Sequence, residues 1–281
     1  MESGKCAGAG TYLYRMEENK HLALLAGEAG KVVRIAADYI HGQFGLIRSD
    51  IADVKSHNSL VSVVDKTAED MLVKGLQSLL PEAGFLTEEE TVLPSQASVR
   101  WIIDPLDGTT NFLFGVPLFT VSVALEVDEQ LVLGMVHDVM SGDHYVAWTG
   151  GGAWCNDKPI RVSINDTLAE SLLATGFPYY DYGHSAAYLD VLASFMKKTR
   201  GLRRLGSAAL DLAWTACGRF DAFYEYGLHP WDVAGGAVLV REAGGVVCDF
   251  EGGNNFLTEK TLVAGNPIIA ALVQKEIKLY F

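Results

Sequence analysis

Between Trp101 and Phe112 the chain reads Trp-Ile-Ile-Asp104-Pro-Leu-Asp107-Gly-Thr109-Thr-Asn-Phe, with two carboxylates three residues apart after a short apolar run. Pro105 fixes one φ angle and Gly108 permits a tight reversal, so both acids can face one point. Hard divalent cations such as Mg2+ favour oxygen donors and take one or two carboxylates together with phosphate and water. Asp104, Asp107 and the intervening Leu106 carbonyl are suitable donors. A helical turn starting near Thr109 would add unpaired N–H groups, a seat for a phosphate. Metal and anion would then meet at one strand end.

Taken alone, Asp-Pro and Asp-Gly are ordinary turn signals. Three other acidic features give the motif company: the cluster Glu88-Glu89-Glu90 after Phe85-Leu-Thr, Asp65 at an expected helix start, and Trp231-Asp232 opening another helix. Singly they read as a solvated loop, a helix cap and a partner for a helix dipole. Gathered at strand ends and helix starts, they are what a multi-metal carboxylate site needs.

The elements that must position these acids follow from hydrophobic spacing. His21–Gln43 places Leu22, Leu25, Ala29, Ala36 and Ile40 on one helical face, and a second helix is expected from Asp65, as cap, to Leu80 before Pro81. Trp101–Ile103, Phe119–Val127, Leu131–Val136 and His144–Ala147 read as strands, the last two joined by a turn at Gly142–Asp143. Ser207 can cap a helix ending near Gly218, and Asp232–Ala243 reads as another closed by Gly244–Gly245. Helices first, then antiparallel strands, then a mixed half suggest stacked sheets and helices. Residues 1–18 are expected to be a loose N-terminal extension and 19–281 one functional unit of two lobes.

Composition narrows the function. Of 281 residues 49% are hydrophobic, enough for a full core, and 35 acidic against 22 basic residues argue against binding a nucleic acid backbone. No apolar run is long enough to span a bilayer, and no signal-peptide core is present. Cys6, Cys155, Cys217 and Cys248 are too scattered for a zinc site and are expected to be free thiols in a cytoplasmic protein. His229 and Cys217 are read as packing residues.

From about His21 to its end the chain resembles the inositol monophosphatase family, its bacterial members above all. The resemblance rests on Trp101–Phe112 and on Trp231-Asp-Val-Ala-Gly-Gly-Ala-Val-Leu-Val-Arg-Glu-Ala-Gly-Gly245, supported by Thr87-Glu-Glu89, Ala174-Thr-Gly-Phe-Pro178 and Arg204-Leu-Gly-Ser-Ala-Ala-Leu-Asp211. It departs from the family at Thr87, where many members carry Gly, and in a loop after Glu90 shorter than in animal members. The resemblance implies a layered α/β/α/β/α sandwich, a homodimer, and Mg2+-dependent, lithium-sensitive hydrolysis of a small phosphorylated polyol or sugar. It implies that two or three Mg2+ ions are held by Glu88, Asp104, the Leu106 carbonyl, Asp107 and Asp232, with Asp65 behind them beside Thr109, and Lys55 and Glu89 nearby. Gly108 and Thr109 would meet the phosphate. Gly206, Ser207, Ala208 and Glu225 would surround the substrate's hydroxyls, with Asp107 and Asp232 also touching substrate.

Catalysis would then assign Glu88 and Asp104 to the ion whose water attacks, Thr109 oriented by Asp65 to proton removal, and Asp104, Asp107 and Asp232 to the ion beside the leaving oxygen. Within the same superfamily the alternatives are a fructose-1,6-bisphosphatase, for which Arg203–Arg204 could clamp a second phosphate, and a 3′(2′),5′-bisphosphate nucleotidase. Thr110-Asn-Phe112 stands where nucleotidases tend to carry Lys-Glu-Phe. A regulatory or binding protein that keeps the fold without turnover is the alternative from another class.

Overall fold

The computed structural model describes residues 7–46, 54–177 and 183–281, with side chains described in 19–46, 63–177 and 183–281. Two long helices open the chain, α1 (Ala7–Gln43) and α2 (Val54–Leu79). Ala29, Val33, Ala36 and Ile40 on α1 and Val64, Ala68, Leu72 and Leu76 on α2 are buried, at the three- and four-residue steps that line one side of a helix.

Both helices begin earlier than the sequence spacing predicts. Residues 7–18 are helical where a loose extension is expected, and no proline interrupts Ala7–Gln43. Helix α2 starts at Val54, so Asp65 stands inside it, 4% exposed, and caps nothing. Neither Gly nor Pro lies between Val54 and Asp65. Once a helix is nucleated each added residue gains a hydrogen bond, so a capping residue without a breaker behind it does not fix the start.

The first sheet is a meander of seven strands lying in chain order: β1 (Gly84–Thr87), β2 (Val99–Asp107), β3 (Thr120–Val127), β4 (Gln130–Asp138), β5 (His144–Trp148), β6 (Gly152–Cys155) and β7 (Lys158–Ile160). Within this sheet only β1 and β2 run parallel. A short helix α3 (Thr109–Leu113) follows β2. The β4–β5 reversal at Gly142–Asp143 is closed by the Asp138 N–H on the Asp143 carbonyl at 2.9 Å.

The second half supplies β8 (Leu172–Thr175), α4 (Ser185–Lys198), β9 (Gly201–Arg203), α5 (Ala208–Ala216), β10 (Ala222–Tyr226), α6 (Pro230–Glu242), β11 (Val246–Cys248), β12 (Thr261–Gly265) and α7 (Pro267–Ile277). Its strands form a five-stranded sheet in the order β11-β12-β10-β8-β9. Helices α1 and α2 cover one face of the first sheet, α5 and α6 fill the space between the sheets, and α4 and α7 cover the far face of the second. The result is the α/β/α/β/α sandwich.

With helices on both sides, seven of the eight β3 residues are buried, which explains its unbroken apolar run. Helix α6 lies unusually close to the sheet. A Cβ on Gly134 would stand 2.3 Å from the Gly235 carbonyl, and one on Gly235 2.8 Å from the Met135 carbonyl. Two glycines facing each other let the Asp232-bearing helix press onto the sheet that carries Asp104 and Asp107.

Cys155, Cys217 and Cys248 are free; Cys6 lies outside the described residues. Among the described residues no helix is long and apolar enough to cross a membrane.

Candidate active site

Pro105 cannot donate to a ladder, and the β2–β3 register shifts between Asp104 and Asp107. That bulge turns both acids toward the same end of the sheet. Asp104 is 2% exposed, and its Oδ1 accepts from the Leu106 N–H at 3.0 Å. Gly108, at φ 100°, makes the reversal, and a Cβ there would lie 3.0 Å from the Leu118 carbonyl. Helix α3 then begins at Thr109, as the spacing predicts.

Asp107 reaches across to the middle layer. Its Oδ2 accepts from Ser207 Oγ and from the Ala209 N–H, both at 2.7 Å. Ser207 caps α5, where its Oγ also accepts from the Leu210 N–H at 3.2 Å. With its one proton committed to Asp107, Ser207 must accept from Thr120 Oγ1, 3.1 Å away.

Glu88 follows β1, whose parallel pairing sets Thr87 beside Ile103 and so brings Glu88 alongside Asp104. The two share a side-chain hydrogen bond. Asp232 occupies the third position of α6 after Pro230, and its Oδ2 accepts from the His229 N–H at 2.7 Å. Helix α6 therefore starts two residues before Asp232, because Pro230 fits the first turn of a helix, where no N–H is needed.

These residues line one cavity of about 260 Å3: Glu88, Asp104, Leu106, Asp107, Gly108 and Thr109 from the first half, Gly206, Ser207, Ala208, Glu225 and Asp232 from the second. Asp65 and Glu89 do not line it. The Lys55 side chain lies outside the described residues, as does segment 178–182. Thr109 is not paired with Asp65 here: its hydroxyl donates to the Leu106 carbonyl at 3.0 Å, and Asp65 Oδ1 is buried without a hydrogen-bond partner. Helix α2, running past Asp65 instead of starting there, holds that carboxylate behind the wall.

The fold brings in several residues beyond the expected ligands, among them Arg204, which sequence reasoning offers only as a clamp for a second phosphate. Phe177, Arg204 and Asp211 join the wall, with Arg204 5.7 Å from the Phe177 ring centre. Asp211 is fully buried, and neither of its carboxylate oxygens has a hydrogen-bond partner. Gly176 packs under Glu225, since a Cβ on it would lie 2.0 Å from that carboxylate. His229 is stacked on Trp231 at 4.8 Å, as packing predicts, but it also lines the cavity. Glu69, fully buried on α2, accepts from the Glu89 and Thr91 N–H groups. Its one available signal is its position four residues after Asp65, on the same helical face.

So many acids in one place resist ionisation. Burial, then Glu89, Glu88 and Glu69, push Asp65 up to about 8. Burial likewise raises Glu88 to about 7 against the pull of its hydrogen bond with Asp104. Asp107 rises to about 6, burial outweighing its bonds from Ser207 and Ala209. Asp104, Asp211, Glu225 and Asp232 stand well above the usual carboxylate range, each chiefly through burial.

Among the described residues no three His, Cys, Asp or Glu side chains are already drawn into a metal-sized cage. The donor set nonetheless fits hard cations: it is all oxygen, and Arg204, which favours ionisation of Asp107, Asp211 and Glu225, does not offset the burial that keeps these crowded carboxylates raised. A divalent ion would supply further positive charge, while the thiols and imidazoles a softer metal prefers lie elsewhere, His229 excepted.

Comparison with known proteins follows the same lines. The inositol monophosphatase family model matches residues 22–278. An inositol-1-monophosphatase of Mesorhizobium japonicum is 43% identical over 236 residues, 84% of this chain and 89% of that protein. The Nus factor SuhB of Escherichia coli K12 is 42% identical over 217 residues, 77% of this chain and 81% of that one. The solved inositol monophosphatase of Anabaena superposes with a TM-score of 0.82 at 31% identity, covering 93% of this chain and 98% of that one.

Proposed function

The chain belongs to the inositol monophosphatase family, and on that premise we propose that it hydrolyses a small phosphate monoester with Mg2+, inositol monophosphate before others. One observation carries the reading: carboxylates from separate stretches, Glu88, Asp104, Asp107 and Asp232, line one cavity beside Gly108 and Thr109. Glu88, Asp104, the Leu106 carbonyl, Asp107 and Asp232 would hold two or three Mg2+ ions. Bound Mg2+ would lower the pKa of an attacking water and neutralise charge on the attacking and leaving oxygens.

The chain's own groups do the rest. The first N–H groups of α3 orient the phosphate and favour its negative charge. The Thr109 hydroxyl would turn from the Leu106 carbonyl to take the water's proton while passing its own to Asp65, a step that needs Asp65 ionised, and burial in the metal-free site holds that carboxyl largely protonated at neutral pH. Ser207 fixes Asp107, while Gly206, Ala208 and Glu225 meet the polyol hydroxyls. The protein works as a cytoplasmic homodimer, inhibited by lithium.

Phosphate release from inositol monophosphate, with and without chelator, tests this reading. Metal-dependent release above that from fructose 1,6-bisphosphate and 3′-phosphoadenosine 5′-phosphate supports it; higher rates on either competitor reassign the substrate. The relative named as a Nus factor supports a second reading, a binding role, and a folded protein that releases no phosphate from any of the three esters would favour that one instead.

A further inference from the structure

Glu69 stands one helical turn beyond Asp65 on α2 and is 0% exposed. Its Oε2 accepts from the Glu89 N–H at 2.8 Å, and its Oε1 accepts from the Thr91 N–H at 2.8 Å and from Thr91 Oγ1 at 2.7 Å. A carboxylate taken this far from water is costly unless hydrogen-bonded, and all three donors come from one short segment. That segment needs holding, because Glu90 adopts a left-handed φ of 52° that side-chain-bearing residues rarely take.

Glu88 sits between this clamp and the end of the sheet. Its own N–H donates to the Ile103 carbonyl at 3.3 Å, and the next backbone N–H along the chain, that of Glu89, donates to Glu69 Oε2. The backbone that carries the Glu88 carboxylate is therefore pinned on one side by β2 and on the other by α2.

We propose that Glu69 is a positioning residue: by clamping residues 89–91 it fixes where the Glu88 carboxylate stands, and so sets how tightly the site binds a divalent cation. It does this without touching cation or substrate. The inference rests on Glu88 as a metal ligand, the reading given above.

Glu69→Gln tests it, because the amide keeps an oxygen for Thr91 but turns an N–H toward the N–H of Glu89. Partners that orient metal ligands typically contribute roughly 10–100-fold to metal affinity. Calorimetric titration of the folded variant with MgCl2 is expected to show a loss in that range. Hydrogen exchange at the Glu89 and Thr91 amides should quicken in metal-free protein, and KM for inositol monophosphate at saturating Mg2+ should not move. Unchanged Mg2+ affinity, with only a lower melting temperature, overturns the proposal, as does a raised KM with affinity intact. Thr91→Val removes just the hydroxyl bond and keeps the test open if Glu69→Gln fails to fold; a several-fold loss of Mg2+ affinity supports the clamp and none overturns it. Wild-type protein that binds no Mg2+ sinks the metal-site reading itself, whereas wild type and Glu69→Gln binding equally sinks the clamp alone.

Discussion

Ser207 Oγ donates to Asp107 Oδ2 at 2.7 Å, so the side chain that caps α5 also orients a carboxylate at the end of β2. One hydroxyl joins the middle helical layer to the first sheet at the point where the cavity forms.

Ser207→Ala is expected to cost stability and function together. Loss of the cap should lower unfolding free energy by about 1 kcal/mol, and an Asp107 free to rotate should lower kcat/KM by roughly tenfold. Urea unfolding and initial rates measure the two; a stability loss with unchanged kcat/KM would separate the cap from the site.

Asp107→Asn keeps the shape of the side chain and removes its charge. Turnover in saturating Mg2+ should fall on the order of 10²-fold, equivalent to about 3 kcal/mol in the barrier. Near-normal turnover would count heavily against Asp107 as a ligand.

The acid cluster gives a signed pH dependence. Asp65, Glu88 and Asp107 titrate near 8, 7 and 6 when folded, above their ordinary values, so between about pH 4 and 8 the folded chain holds more protons than the unfolded one. Their contribution is fully present below about pH 4 and is lost as pH rises toward 8. Melting temperature in EDTA should therefore fall across that window more than it does in Asp104→Asn, and Mg2+ should restore it increasingly toward pH 8, where it no longer competes with protons. A metal-free melting curve that does not change with pH would contradict the buried-acid account.

Outside the cavity lining, His137 and His144 face each other with Nδ1 atoms 3.3 Å apart, buried under α1. Burial, with His137 and Arg34 adding to it, lowers His144 to about 3, and His137 is lowered for the same leading reason. Unfolding releases imidazoles that take protons near 6.5, so this pair's contribution to stability is lost as pH falls from about 6.5 toward 3. Replacing His144 with Leu should make the variant gain relative to wild type on acidification, as read by urea unfolding at about pH 7 and about pH 5. A difference that stays constant would show that the pair does not titrate on unfolding.

Gly176→Ala should disturb substrate recognition more than turnover. The added Cβ would meet the Glu225 carboxylate at 2.0 Å, forcing it from its place on the wall. KM for inositol monophosphate is expected to rise roughly tenfold, about 1.4 kcal/mol of lost binding, with a smaller change in kcat. An unchanged KM would remove Glu225 from the hydroxyl-binding wall.

Much of the fold was readable because it is written in local spacing. The β3, β4 and β5 runs, the Gly142–Asp143 turn and the Ser207 cap all fall within a residue or two of their expected places. Asp65 reads as a helix start because a capping side chain is a local preference, and with neither Gly nor Pro between Val54 and Asp65 nothing stops the helix from beginning earlier. Glu69 carries only its spacing from Asp65, and Asp211 and Gly176 only their place in matching segments: an acid in a helix or a glycine before a loop acquires a role from what packs against it.

By itself the sequence determined that Asp104, Leu106 and Asp107 turn together and that a helical turn begins at Thr109, since a proline, a glycine and a strand end act through bonds a few residues long. Tertiary structure alone decided that Glu88 stands beside Asp104, that Ser207 grips Asp107, and that Asp65 lies behind the cavity instead of on it. Those placements depend on how two sheets stack around α5 and α6, which is set by the burial of many side chains at once, and no short stretch of residues encodes that sum.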